Sequence, residues 1–438
     1  MSQLLNSEMS TSATMTNLSD SSDASVAEMK AEAPNLDVGP PPDGGFKAWT
    51  QAFLTHIVFF NTWGVTNGFG VYEEYYTGQL GFSHFSVSWI GSVQIFFLFF
   101  VGVAAGRLTD AGHFKPIFAL GVFLQLLGIF MTSLCTRYWQ IFLAQAVCVG
   151  LGNGCTFCPA LSVLSAYFHQ NRAFAVGVAA AGAATGGLIY PVMVMHLIDM
   201  PNLGFPWTMR VVGLVMLITY IPCLVWFAPR LPPRKTGPWV DWAAFREVPF
   251  VCFALCMYLN FWGLYFAFFY VGNFARDRLG MAAPINLVLV LNGVGVIGRI
   301  IPNIIASRWT GPFNILIPLS FITAVLMYCW AAIRSEGSLY AFAVLYGLTA
   351  SALQALFPAI ATTMTPHANK AGTRVGMIFT IVSFATLTGP AIAGVLINRD
   401  NGGYLYAQIF AGSSIALGAL MGAVSRLAKT GFVLRARV

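Results

Sequence analysis

Charged side chains are scarce in this sequence. They make up 9% of its 438 residues, where a soluble domain carries about 25%. So few charges cannot cover a water-facing surface, which excludes a string of soluble domains. Acids are scarcer than bases, sixteen against 23, and none of the sixteen falls near the middle of an apolar run. A carboxylate relay through a bilayer, the usual device of proton coupling, is therefore absent from the pattern. An intramembrane enzyme is disfavoured too, because no nucleophile, base or metal cluster is placed inside the runs. Of six histidines, His56 and His196 are the two within apolar runs that could titrate, and an interhelical hydrogen bond is the commoner fate of each. Proton coupling stays open, with facilitated diffusion as its rival. No basic-then-apolar leader precedes the first run, so residues 1–39, rich in Ser, Thr, Ala, Asp and Glu, are expected to form a disordered, uncleaved cytosolic tail. The sequon Asn17-Leu18-Ser19 would then go unused.

The eight cysteines lie in or beside apolar segments. Cys155-x-x-Cys158 sits within a helical run and reads as small buried side chains, so no metal site and no cofactor is expected. Gly150-x-Gly152-x-Gly154 follows no strand and is not read as a nucleotide loop. The formal charge of +7 does not point to nucleic acid, because the bases lie in short loops between apolar runs.

What the chain has in abundance is apolar length: 57% of its residues are hydrophobic and the mean hydropathy is +0.71. Runs of about 20 apolar residues predict spans near 48–71, 87–106, 116–135, 140–166, 173–198, 208–227, 248–272, 284–306, 313–333, 338–364, 375–397 and 404–426. The expected fold is therefore an all-α membrane protein of twelve transmembrane helices in two six-helix halves. With the tail placed in the cytosol, sixteen Lys and Arg fall on the inner side and five on the outer, which predicts cytosolic termini. Organisation follows as a cytosolic tail over 1–42, a first half over 43–227, a linker over 228–247, a second half over 248–427 and a short tail over 428–438. Matching features support duplication: Gly177 follows Pro159 by eighteen residues, and Gly376 follows Pro358 by eighteen. Equal offsets of this kind accompany transporters whose halves rock about a midplane site.

Gly106-Arg107-Leu108-Thr109-Asp110-Ala111-Gly112 between the second and third spans resembles the cytoplasmic loop motif of the major facilitator superfamily, with Ala111 where a base is usual. Its counterpart ends in Ser307-Arg308-Trp309-Thr310-Gly311, with Ser307 in place of the acid. Asp110 is expected to meet the start of the eleventh span near Thr373 and Arg374 and to pair with Arg172, closing the inner side; Arg308 belongs to the same gating set.

Before the first span stands Pro41-Pro42-Asp43-Gly44-Gly45-Phe46-Lys47-Ala48-Trp49, and a second block runs through Cys158-Pro159-Ala160 and Arg172-Ala-Phe-Ala-Val-Gly177. Together they resemble the monocarboxylate porter family, particularly its fungal members. The resemblance implies the twelve-helix fold and transport of small organic molecules, carboxylates and aromatic compounds among them, with export of secondary metabolites frequent in fungal members. It also implies plasma-membrane residence. Two positions depart from the proton-coupled lactate carriers: Asn67 stands where they have a lysine, and Gly295 where they have an acid, while Arg299 matches their arginine.

Arg299 is the only charge near the middle of a span, and it is expected to receive an acidic oxygen of the substrate through a forked hydrogen bond. Asn67, Asn260, Tyr265 and Gln354 are the other expected substrate-binding residues, since the first, seventh and tenth spans line the cavity in proteins of this type. Asn61, Gln94, Gln145, Asn153, Tyr190, Asn292 and Asn303 are further polar candidates, some serving only to join helices. The expected partners are a small-molecule substrate and the lipid bilayer. A drug and proton antiporter and a non-transporting nutrient sensor are the alternatives.

Overall fold

The computed structural model describes residues 39, 41–200, 202–232, 240–281, 285–364 and 371–432. Most of the expected N-terminal tail, the middle of the linker and residues 433–438 lie outside them. From Pro41 onward the chain forms one compact unit, and helices account for almost all of its described residues.

In hydrocarbon every backbone N–H and C=O must be satisfied within the protein, and a helix does this segment by segment. Ten stretches are long and apolar enough to cross a bilayer, and one of them, Phe85–Thr132, has 48 residues. It turns at Gly112, whose φ of 91° lies in the region that glycine adopts at least cost, and so contributes two helices. The helix from Gly45 onward, with Gln51, His56, Asn61 and Asn67 along it, completes the set. Twelve helices result among the described residues: α1 (Gly45–Asn67, resuming after Gly68 as Phe69–Gly78), α2 (His84–Phe100, resuming as Gly102–Leu108), α3 (Phe114–Thr132), α4 (Tyr138–Tyr167), α5 (Arg172–Ile198), α6 (Gly204–Trp226), α7 (Val248–Leu279), α8 (Ile285–Ile305), α9 (Pro312–Trp330), α10 (Glu336–Thr363), α11 (Ala371–Arg399) and α12 (Leu405–Thr430). Local signals set several ends. Ser83 caps α2 by accepting from Ser86 N, Ser335 caps α10 from Ser338 N, and left-handed Gly280 closes α7.

The glycines explain how closely the helices approach. A Cβ at Gly64 would lie 2.6 Å from Gly186 Cα, and one at Gly182 would overlap His56 O, so α1 and α5 meet backbone to backbone. Gly150, Gly152 and Gly154 seat α4 against Gln94 O, Gln125 N and Phe97 O of α2 and α3, a packing role rather than a phosphate loop.

The two halves meet along α5 with α8 and α2 with α11. The duplicated glycines sit at these crossings. A Cβ at Gly177 would lie 2.8 Å from Arg299 O, and one at Gly376 3.1 Å from Val103 Cα. Each half thus supplies one glycine to let its partner's helix approach, which gives the equal offsets a physical reason.

Most of the polar candidates join helices. Asn61 accepts from Tyr190 Oη at 2.6 Å and donates to Thr219 Oγ1, and Tyr76 Oη donates to Gln145 Oε1. His56 contacts Val178 O at 2.9 Å and Thr185 Oγ1 at 3.2 Å, tying α1 to α5.

Asp43, in the block before α1, has a structural task. Its Oδ1 accepts from the backbone N–H groups of His169, Gln170 and Asn171, the orphan donors ahead of α5. Trp49 packs edge-on against Phe168 and Phe174 beside it. Loss of such a cap costs about 1 kcal/mol. Asp43→Ala should therefore lower the unfolding temperature of the purified protein while Asp43→Asn keeps most of it, and equal melting of the two variants would remove the capping role.

Candidate functional site: a central aromatic cavity with one arginine

A narrow cavity lies between the halves, walled by Phe59 and Trp63 of α1, Phe99 of α2, Phe157 of α4, Ala180 and Ala183 of α5, Phe261 and Tyr265 of α7, Arg299 of α8, Gln354, Phe357 and Pro358 of α10 and Phe379 of α11. The two proline-bearing helices of the duplicated pattern each bring a phenylalanine to it, Phe157 near Pro159 and Phe357 beside Pro358. Rings meet across the seam between the halves: Trp63 stacks on Tyr265 at 6.1 Å with planes 2° apart, and Phe99 meets Phe261 edge-on at 5.8 Å. Offset or edge-on ring pairs of this kind contribute about 1 kcal/mol each beyond buried area.

Arg299 is the one charge in this wall, and its side chain is 1% exposed. Gln354 Oε1 accepts from Nη2 at 2.7 Å, Ser351 Oγ from Nη1 at 2.9 Å, and Gly295 O from Nη1 at 3.4 Å. Gly295 is necessary here, because a Cβ would lie 2.8 Å from Nη1 and 2.6 Å from Ser351 Oγ. All three acceptors are neutral, so the positive charge has no carboxylate partner among the described residues. Three of the five guanidinium N–H groups are used. Nearby, Tyr265 Oη and Gln354 Nε2 are buried without a hydrogen-bond partner. A cation, an amide N–H₂ and a phenol thus face an apolar box, a donor-rich arrangement suited to an acidic oxygen attached to a ring-bearing body.

The structure brings Arg299, Gln354 and Tyr265 together, and places Asn67 in an adjoining compartment that Tyr265 also lines. Asn260 goes elsewhere. Its Nδ2 donates to Cys256 O at 2.8 Å and fills the space left by Gly418 of α12. One residue of helix is about 100° of rotation, so with Phe261 and Tyr265 facing the cavity Asn260 turns away from it.

Gating residues also differ from expectation. Arg374 is held by Glu247, with Nη2 at 2.6 Å from Oε1 and Nη1 at 2.7 Å from Oε2, and by Asp241 Oδ2 at 3.0 Å. The end of the linker, a short turn over Trp242–Arg246, is thereby fastened to α11. Arg172 donates through Nε to Phe168 O, and the acid acting on it is Asp43 rather than Asp110. Asp110 is half-buried in the turn at Thr109–His113, and Arg308 is exposed. At the terminus-bearing end the halves touch where Ser307 donates to Gln170 O at 3.1 Å. At the opposite end Asn273 of α7 donates to Glu73 Oε1 at 3.3 Å, and Arg276 lies 3.6 Å from Glu74. Glu73 is only 4% exposed, because α1 continues beyond Gly68 and carries it into the bundle; the sequence pattern had placed it beyond the first span.

Comparison with known proteins agrees with this architecture. Residues 53–338 match the family model described as Major Facilitator Superfamily. The chain belongs to the major facilitator superfamily. Among relatives in this superfamily, an MFS-type transporter of Gibberella zeae is 42% identical over 386 residues, 87% of each chain. The aspyridones efflux protein apdF of Emericella nidulans is 36% identical over 87% of this chain and 78% of its own. The crystal structure of the human organic anion transporter MFSD10 superposes with a TM-score of 0.65 at 13% identity, covering 86% of this chain and 98% of that one, a likeness of fold alone. This major facilitator protein is a multi-pass membrane transporter of a small molecule, not an enzyme.

Proposed function

We propose that the chain exports a small organic acid with an aromatic or similarly apolar body, by alternating access of its two halves around the central cavity. The observation that carries this reading is Arg299, buried in the cavity wall with neutral partners only and N–H groups to spare. A central arginine costs about 3 kcal/mol on insertion scales, and an acidic oxygen held by a forked bond offsets that cost. Arg299, Gln354 and Tyr265 bind the acidic end. Asp110, Arg172, Arg308 and Arg374 belong to the gating end, where the termini lie in the cytosol of a plasma-membrane protein. The block around Asp43 and the arginine in α8 support a place beside the fungal monocarboxylate porters. With Asn67 and Gly295 at the two departing positions, the cargo is not a proton-coupled lactate. Export is favoured by the efflux named for the relative of Emericella nidulans.

Comparative metabolite profiling of producing cells and their medium, with and without the gene, tests this reading. An acidic, ring-bearing compound should accumulate inside the cells and fall in the medium when the protein is absent. A compound that moves the other way overturns export, and a neutral or cationic one overturns the role given to Arg299.

A further inference from the structure

Beyond Tyr265 lies a second, smaller pocket, bounded by Thr66, Asn67, Phe69 and Gly70 of α1, Ile95 of α2 and Phe268 and Phe269 of α7. Tyr265 lines both spaces. Trp63 borders the first and Asn67 the second, one helical turn further along α1, a step of about 6 Å.

Thr66, Asn67 and Tyr265 are the polar side chains among the residues that bound this compartment. Thr66 Oγ1 donates to Thr62 O at 2.9 Å and accepts from Gln94 Nε2 at 3.3 Å, so its proton is committed. Asn67 Nδ2 donates to Ala183 O at 3.3 Å, which fixes the amide and turns its oxygen the other way. That oxygen is buried and has no donor, and the residue is 5% exposed.

We propose that the second compartment is a subsite for the far end of the substrate, and that Asn67 Oδ1 there accepts a hydrogen bond from a hydroxyl or N–H group. Resting on the organic-acid reading above, this narrows the substrate class to elongated molecules: an acidic oxygen at Arg299, rings or chain past Tyr265, and a neutral hydrogen-bond donor at the opposite tip. Phe69, Phe268 and Phe269 enclose that tip. A second charge is disfavoured because no counter-ion lines the compartment.

Binding of phenylbutyrate, para-hydroxyphenylbutyrate and para-methoxyphenylbutyrate to purified full-length protein tests the subsite. The hydroxyl compound should bind about tenfold more tightly than the other two, the value of a donor for a buried acceptor otherwise unpaired. In Asn67→Leu the affinity ratio of the hydroxyl to the methoxy compound should fall to about one. Asn67→Ser, a smaller change, should reduce the preference if the leucine variant does not fold. Equal affinity of the hydroxyl and methoxy compounds for wild type, or an undiminished preference in the variants, overturns the subsite. The underlying reading fails separately: if phenylbutyrate and its methyl ester bind alike, Arg299 does not hold the acid, whatever Asn67 does. Binding by none of the acids sinks both.

Discussion

Arg299→Lys should reduce transport about a hundredfold with the protein still made and inserted. Lysine keeps the charge but exchanges a planar fork for a single ammonium. Two charge-assisted hydrogen bonds to a substrate oxygen, at about 1.5 kcal/mol each, amount to about two factors of ten. Arg299→Gln should fall further, since it removes the charge as well. Initial rates in proteoliposomes, referred to the amount of folded carrier, are the measurement. The rival assignment is structural, with Arg299 present only to join α8 to Ser351 and Gln354 of α10. That assignment predicts loss of thermal stability with the remaining folded carrier turning over normally. Wild-type rates in both variants would take Arg299 out of the site and leave a neutral cargo.

Removing Arg374 should be the most destabilising change outside the cavity. Its guanidinium satisfies Asp241, whose side chain is 6% exposed, and spans both oxygens of Glu247. Breaking a buried ion pair from one side costs about 3 to 5 kcal/mol; the buried pair here is Arg374 with Asp241, Glu247 being 40% exposed. Arg374→Met should therefore unfold markedly earlier on heating and reach the membrane poorly. The triple variant with Asp241→Asn and Glu247→Gln should regain most of the loss, since a neutral side chain costs far less to bury than a carboxylate that has lost Arg374. Failure of the triple variant to recover would mean that the cluster does more than hold the linker. Arg374→Met with unchanged melting would show that water reaches Asp241 as easily as bulk solvent.

The parts of this molecule legible in the sequence are those written in local pattern. Long apolar runs marked the helices, and Gly177 and Gly376, each eighteen residues after a proline, turned out to mark the crossings between halves. Arg299 was conspicuous because a charge in an apolar run has few explanations. Other features depend on rotation or on distant folding, which a linear pattern does not carry. Asn260 sits one residue before Phe261, yet that single step turns it from the cavity toward Gly418. Helix α7 is aromatic on every face, so periodicity gave no guide to which side was which. Glu73 looked like a loop acid because the apolar run ends near it, while the helix continues to Gly78. Asp241 and Glu247 reach Arg374 only when the linker folds back over more than a hundred residues of chain. Trp63, Phe99, Phe157 and Phe379 had no signal that set them apart from rings facing lipid.

The distribution of contacts between the halves has a consequence for turnover. Directional bonds across the seam lie toward its ends, at Ser307 with Gln170 on one side and at Glu73 and Glu74 with Asn273 and Arg276 on the other. At mid-depth the halves meet through rings, Trp63 on Tyr265 and Phe99 on Phe261. Rings slide over one another with little change in energy, whereas a hydrogen bond must break before its partners part. The middle therefore behaves as a bearing and the ends as catches. On the proposed function, a planar cargo entering the bearing would replace ring-on-ring surface with more of the same kind, so loading would perturb the pivot little and the speed of each stroke would be set at the catches.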